Sequence, residues 1–341
     1  MDASKFVIIG ENIHCTRIVK REGKSVAKID GGGEAIVYAA DGQTRHLPIP
    51  SVFQKTADWE AGKVKHCAVA MWQGMYGDAA GKAAGVDYLR SLARRQEAAG
   101  ANFLDVNVDE FSTDVDERVR IMKWAADVIQ QASKAPLSID SSNAAILKAG
   151  LESCRAERGR PMVNSVSLER ASSIAVAGEF KAVVVASAAG EKDLPTTTED
   201  RLRNLDALMP QLAAAGLAKA GIYIDPLVFP IATDPGNGKS FLDAVAAARA
   251  RYGAEIHLVG GLSNISFGMP ARKLINQVFT YLAVQAGADG GIVDPLQINR
   301  KTLAAVEEGT EAFRLAKALL TGEDMFGGEF IAAHREGRLE G

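Results

Sequence analysis

The stretch FLDVN, Phe103–Asn107, is a short apolar run that ends in a carboxylate and a carboxamide. The same design recurs at LSIDSSN (Leu137–Asn143), MVNS (Met162–Ser165), IYIDP (Ile222–Pro226), LVGGLSN (Leu258–Asn264) and GIVDP (Gly291–Pro295). Asp105 and Asn107 lie two residues apart, so both leave the same side of an extended strand. Polar groups delivered repeatedly to the ends of buried strands are how a parallel barrel builds a site, because its functional groups come from the C-terminal ends of several strands.

Working outward, β-branched runs that lead into capping residues give eight candidate strands: 6–9, 103–106, 137–139, 162–165, 182–186, 222–224, 255–259 and 291–293. Between them lie stretches with helical spacing, such as Val86, Leu89, Leu92 and Ala93 before Gly100, or Leu202, Leu205, Leu208 and Leu212 before Gly216. The βαβα alternation predicts an α/β fold with parallel strands, and nearly all-apolar strands fit a sheet covered on both faces. A doubly wound open sheet also satisfies this. Eight regular repeats with polar residues on many different strands favour a (β/α)8 TIM barrel, read as one domain over residues 1–341.

One segment breaks the rhythm. Roughly 70 residues separate the first strand from the helical pattern near Gly85, where a barrel loop needs only a few. We assign residues 15–75 to an inserted, hairpin-containing subdomain after strand one. Within it, GEAIVYAADGQTRHLPIP (33–50) reads as two strands around Asp41-Gly42, a strong hairpin signal. GMYGDAAGKAAG (74–85) reads as a glycine-rich hinge back to the barrel. An insertion after strand one emerges on the site face, as a lid or docking element; the alternative is a small hairpin packed to one side.

The composition, 47% hydrophobic and 24% charged over 341 residues, is that of a soluble globular protein. A formal net charge of −3 and the lack of a dense basic run give no reason to expect nucleic acid. Cys15, Cys67 and Cys154 are an odd number without metal-ligand spacing, which argues against a disulfide framework and for a reducing compartment. The N-terminal MDASKFVIIGEN has too short an apolar run for a signal or a membrane span, so a cytoplasmic protein is expected.

Each polar strand end also has a plain structural explanation. Asp140 could cap the helix that follows SSN, and Asp225-Pro226 and Asp294-Pro295 could be turn formers. Against that stands the number of such ends. Asn164 and Asn264 with several carboxylates make a donor–acceptor set suited to a flat heterocycle with an amidine-like edge, since one carboxylate accepts two N–H groups at once; a pterin or purine-like ring fits. A competing class acts on phosphorylated sugars or aldehydes, because GGLSN and GADGG fall where barrels bind phosphate. No strand carries a lysine placed for a Schiff base. His257 reads as packed, His46 and His66 belong to the insertion, and His14, after Gly10-Glu11-Asn12, belongs at the barrel mouth. Neither HExxH nor CxxC occurs, so no protein-held metal is expected.

Taken in order, VIIGEN (7–12), FLDVNVD (103–109), LSIDSSN (137–143), VNSVS (163–167), YIDPLVFP (223–230) and GGLSNISFGMPAR (260–272) resemble the pterin-binding barrel family. Within it the motifs are most similar to methyltetrahydrofolate:corrinoid methyltransferases and the folate domain of cobalamin-dependent methionine synthase. The resemblance covers about residues 1–14 and 75–320. It implies that Asp140, Asn164 and Asp225 hold the pyrimidine edge of the pterin and that Asn264 hydrogen-bonds near N5. Asp105 and Asn107 match the second-strand motif, Glu11 the strand-one glutamate, and Arg272 a motif position whose task stays open. Where relatives often read GERIN, this chain reads GENIH, with Asn12 and His14 replacing Arg and Asn.

The resemblance implies methyl transfer between N5 of methyltetrahydrofolate, a substrate, and the cobalt of a corrinoid (cobalamin), in either direction. Asn264 and Asp225 are the catalytic candidates. No DxHxxG segment for holding a corrinoid is present, so the corrinoid is expected on a partner protein, and relatives are often homodimers. Two alternatives remain open: a dihydropteroate synthase-like enzyme, although GENIHCTR lacks that enzyme's NxTPDSF-like segment, and a non-catalytic folate-binding protein.

Overall fold

Buried strands need partners on both edges, and the structure supplies them in one eight-stranded sheet. A computed structural model of the chain describes residues 3–29 and 32–339. The strands are β1 (Val7–His14), β2 (Phe103–Asn107), β3 (Leu137–Asp140), β4 (Met162–Val166), β5 (Val183–Ser187), β6 (Ile222–Asp225), β7 (His257–Leu258) and β8 (Gly290–Val293). Their order in the sheet is β7-β6-β5-β4-β3-β2-β1-β8, so sequential strands are neighbours and the last returns beside the first. The β1–β8 pairing is parallel, Val7 opposite Gly290 through Gly10 opposite Val293. A parallel bridge between Gly261 and Ile292 joins the chain after β7 to β8. This is the (β/α)8 barrel that the sequence predicts.

Every residue of β5 and of β6 is buried, as expected of strands covered on both faces. All eight predicted strands are present, and their bounds shift for local reasons. β1 runs to His14 rather than stopping near Ile9, because the backbone stays paired: Asn12 N–H donates to Gln96 Oε1 at 3.0 Å and Cys15 N–H to Asn107 O at 3.0 Å. Polar Glu11 and Asn12 read in sequence as a strand end, yet Asn12 is buried.

By contact density the chain divides into two compact units. One comprises Met1–Gly10, Ala99–Asn102 and Met162–Gly341; it carries β4 to β8 and the first half of β1. The other comprises Glu11–Ala98 and Phe103–Pro161; it carries the end of β1, the segment that follows it, β2 and β3.

In the second unit the hairpin forms as predicted, Glu34–Ala40 antiparallel to Gln43–Pro48, with a third strand Val26–Lys28 on its edge. Asp41 and Gly42 both take positive φ, 51° and 73°, the geometry of a two-residue type I′ turn. The hairpin is tied to the helix Ala79–Ala98. Tyr38 donates to Asp87 at 2.6 Å, Arg45 pairs with the same carboxylate at 2.5 Å, and Tyr38 meets Tyr88 edge-on at 4.8 Å. Tyr88 in turn reaches His66 Nδ1 at 3.0 Å, and burial pushes the His66 imidazole down to about 4.

The glycine-rich stretch at 74–85 is not a loop hinge. It spans the end of one helix, His66–Tyr76, and the start of the next, Ala79–Ala98. Its glycines let the two helices touch: a Cβ on Gly85 would lie 2.4 Å from Ala70 O and 2.6 Å from Gly74 N. Both are backbone atoms, so the helices themselves would have to part. Gly85→Ala therefore sets a helix-propensity gain of about 1 kcal/mol against overpacking of about 1–3 kcal/mol. We expect net destabilisation of up to about 2 kcal/mol, read as a lower denaturant midpoint; a higher midpoint would refute the close approach.

Candidate functional site

In the second unit, the ends of β1, β2 and β3 are cross-linked by their own polar side chains. Asn107, closing β2, accepts from Asp109 N–H at 3.0 Å and from the Cys15 thiol at 3.4 Å. Asp109 then gathers the loop after β3: its Oδ1 accepts from the Ser141 hydroxyl at 2.5 Å, and its Oδ2 from Ser142 N–H at 2.8 Å and the Ser142 hydroxyl at 3.0 Å. Asp109 lies inside the FLDVNVD motif but draws no attention in sequence. Its signal is its position two residues beyond Asn107, continuing the alternation past the strand.

Asp140 does not cap the helix after it. Asn143 does, accepting from Ala145 N–H at 2.9 Å. The Asp140 carboxylate instead faces His14, whose Nε2 is 3.5 Å from Oδ2. Glu11 forms an ion pair with Arg17, which also donates through Nε to Glu11 O at 3.2 Å. Asp105 is buried within β2, 1% exposed.

The first unit carries the other candidates. Asn164 lies in β4, half-buried, opposite Val185 of β5, just before the register shifts. Asp225 ends β6, buried, and accepts from Leu227 N–H at 2.8 Å. Burial pushes its carboxyl up to about 6, the Leu227 N–H and the charge of Arg201 working in the opposite direction. Arg201 is the residue that sequence reading misses. In DRLRNL it looks like a surface helix charge, yet it is 2% exposed and donates to Pro226 O at 2.7 Å and the Ser240 hydroxyl at 2.8 Å. A cation beneath the β6 turn opposes the cost of burying Asp225 ionised.

Asn264 is exposed on the single-turn helix Leu262–Ser266 after β7. Its amide is set by the lack of a side chain at Gly261, where a Cβ would lie 2.8 Å from Asn264 Nδ2. Arg272 pins this turn from the start of the helix Arg272–Ala286: Nε donates to the Ser266 hydroxyl at 3.0 Å and Nη2 to Ser263 O at 3.1 Å, and the guanidinium lies over Phe267. The open task of Arg272 is thus, in this structure, to hold the turn that carries Asn264. Asp294 is a turn former, accepting from Leu296 N–H at 3.0 Å and the Gln297 amide at 2.7 Å. His257 packs, stacked on Tyr223 at 4.3 Å and bonded to Asp289 at 3.0 Å. The cysteines are free thiols, and no helix of the described residues is long and apolar enough to cross a membrane.

The raised Asp225 carboxyl has a consequence for stability. An unfolded Asp ionises near 3.9 and the folded one near 6, so the fold prefers the protonated form. The penalty on the ionised form is absent below the unfolded value, grows between the two, and is complete above about 6. The attraction of Arg201 is already contained in this net shift. Asn keeps an acceptor for Leu227 N–H without the charge, so Asp225→Asn should raise Tm at pH 8 by a few degrees and lose most of that advantage near pH 4.5. A Tm difference independent of pH in thermal melts would contradict the shift.

Comparison with known proteins places this geometry. The chain is 31% identical over 258 residues to a methylcorrinoid:tetrahydrofolate methyltransferase of Eubacterium limosum, covering 74% of this chain and 89% of that one. It is 32% identical over 229 residues to methionine synthase of Mycobacterium tuberculosis, covering 62% of this chain and 19% of the synthase. Among solved structures, a dihydropteroate synthase from Xanthomonas albilineans in complex with 7,8-dihydropteroate is similar in fold, with a TM-score of 0.52 and 19% identity over 65% of this chain and 84% of that one. A profile described as pterin binding enzyme matches residues 79–294, from the helix before β2 to the end of β8. The chain belongs to the pterin-binding enzyme family.

Proposed function

We propose that this protein is a methyltransferase that moves a methyl group between N5 of methyltetrahydrofolate and the cobalt of a corrinoid carried on a partner protein. The observation that carries the reading is the likeness to the methylcorrinoid:tetrahydrofolate methyltransferase over 89% of its length. Both directions use the same groups, and the surrounding metabolism decides between them. In cytoplasm, with folate as substrate and the corrinoid protein as partner, a homodimer is the expected assembly.

In this reading Asp140, Asn164 and Asp225 hold the pterin's pyrimidine edge, whose N–H groups suit carboxylate and amide acceptors. Asp105 and Asn107 support that ring, Glu11 and its Arg17 partner border it, and Arg272 fixes the turn of Asn264. Asn264 hydrogen-bonds at N5. An amine is a poor leaving group, so demethylation of folate requires a proton to end on N5 as the C–N bond breaks and the methyl joins cobalt. In the opposite direction N5 attacks the methyl and must shed that proton. A carboxyl near 6, as at Asp225, can hold a proton at neutral pH and exchange it, and a fixed amide such as Asn264 stabilises the changing charge. No side chain serves as nucleophile: Co(I) does so in one direction and N5 in the other.

The insertion at 15–75 we assign to a lid or docking role toward the partner. It contributes Phe53, Trp59, Lys65 and Trp72 to a cavity of about 340 Å³ that is also lined by Phe111.

Two substitutions separate binding from chemistry. Asp140→Ala should weaken tetrahydrofolate binding by about 1.5–3 kcal/mol, the worth of a charged hydrogen bond, as measured by titration calorimetry. Asn264→Ala should bind folate nearly as wild type yet slow single-turnover methyl transfer from methylcobalamin to tetrahydrofolate. Wild-type behaviour in both would reject the assignment. Formation of dihydropteroate from p-aminobenzoate and the pterin diphosphate would instead favour a synthase.

A further inference from the structure

His14 ends β1, and the pair it makes reaches across the neighbouring strand. Asn107 of β2 stands opposite Asp140 of β3 in register, while Cys15, next to His14, is hydrogen-bonded to Asn107 O. The imidazole therefore spans from the end of β1 past β2 to the carboxylate that ends β3. Strands lie about 4.8 Å apart, so a short side chain such as Asn at position 14 could not close that gap.

The ring is oriented from its other side. His14 Nδ1 is 2.7 Å from the Thr16 hydroxyl, with Thr16 N–H at 3.2 Å. With one nitrogen engaged on the chain's own turn, Nε2 is directed at Asp140 Oδ2, 3.5 Å away. That separation is an ion pair but longer than a hydrogen bond. Asp140 is thus held electrostatically without its lone pairs being consumed, which suits a carboxylate that must accept two N–H groups from a ligand. Both side chains are only about a quarter exposed.

We propose that His14 is a positioning residue for Asp140, its Nε2 holding this carboxylate oriented toward the N–H edge of the bound pterin. The inference rests on the reading of Asp140 as a pterin-holding residue and goes beyond it, by giving strand one a task in binding. The imidazole's own state agrees with the geometry. Burial works against its charge, while the neighbouring Asp140 carboxylate, followed by Cys15, favours it. Thr16 N–H donates to Nδ1, so the ring's own N–H lies on Nε2, the nitrogen that faces Asp140. The His of the GENIH motif then puts an imidazole, where relatives often have an amide, beside the binding carboxylate.

The test is a double-mutant cycle read by folate affinity. Tetrahydrofolate Kd and the single-turnover rate from methylcobalamin would be measured for wild type, His14→Ala, His14→Gln, Asp140→Asn and His14→Ala/Asp140→Asn, with a thermal melt of each. His14→Ala should raise Kd about five-fold, the scale of a partly exposed ion pair, and lower the rate at saturating folate by less. His14→Gln, which can present an N–H toward Asp140, should recover part of the loss. In the Asp140→Asn background, His14→Ala should change Kd little. An unchanged Kd in His14→Ala, or the same loss in both backgrounds, would overturn the inference while leaving the proposed function standing. Wild-type protein that fails to bind tetrahydrofolate would remove both.

Discussion

Strands buried on both faces have little room for polarity, so a barrel of this kind concentrates its polar groups toward the ends of its strands. That constraint governs the rest of the structure. β5 and β6 are buried throughout, and Asp225, the carboxylate at the end of β6, must be stabilised where it stands. A backbone N–H from Leu227 and the buried guanidinium of Arg201 do this in part. The remaining desolvation is expressed as a carboxyl that gives up its proton reluctantly. The same pressure explains the ties of Asn107 and Asp109: Asn107 accepts from Asp109 N–H and the Cys15 thiol, and Asp109 from Ser141 and Ser142.

Much of this was legible in sequence because burial writes itself as composition. The apolar, β-branched runs mark all eight strands, six of them followed by Asp or Asn, and Asp41-Gly42 marks the hairpin through its need for positive φ. What sequence does not show is the partner of each polar group. Asp140 has the pattern of a helix cap, but Asn143 takes that place, and only the fold brings His14 to the vacated carboxylate. Arg201 reads as one more helical surface charge until the β6 turn covers it. The glycines at 74–85 suggest looseness in sequence, whereas packing uses them for contact between helices.

Arg272 illustrates how a site residue can act at one remove. Its guanidinium fixes Ser263 and Ser266 and so the turn between them, on which Asn264 is presented to solvent with room ensured by Gly261. The exposed amide is thereby ordered before any ligand arrives, as the proposed hydrogen bond to N5 requires. Membership of the pterin-binding family and the likeness to corrinoid methyltransferases lend this arrangement its chemical meaning.

The most direct measurement is anaerobic mixing of the protein with methyltetrahydrofolate and cob(I)alamin, followed by absorbance. The account predicts enzyme-dependent loss of the Co(I) band with matching growth of methylcobalamin and tetrahydrofolate. Protein that binds methyltetrahydrofolate yet leaves Co(I) unchanged, both on free cobalamin and on a corrinoid protein, would contradict it.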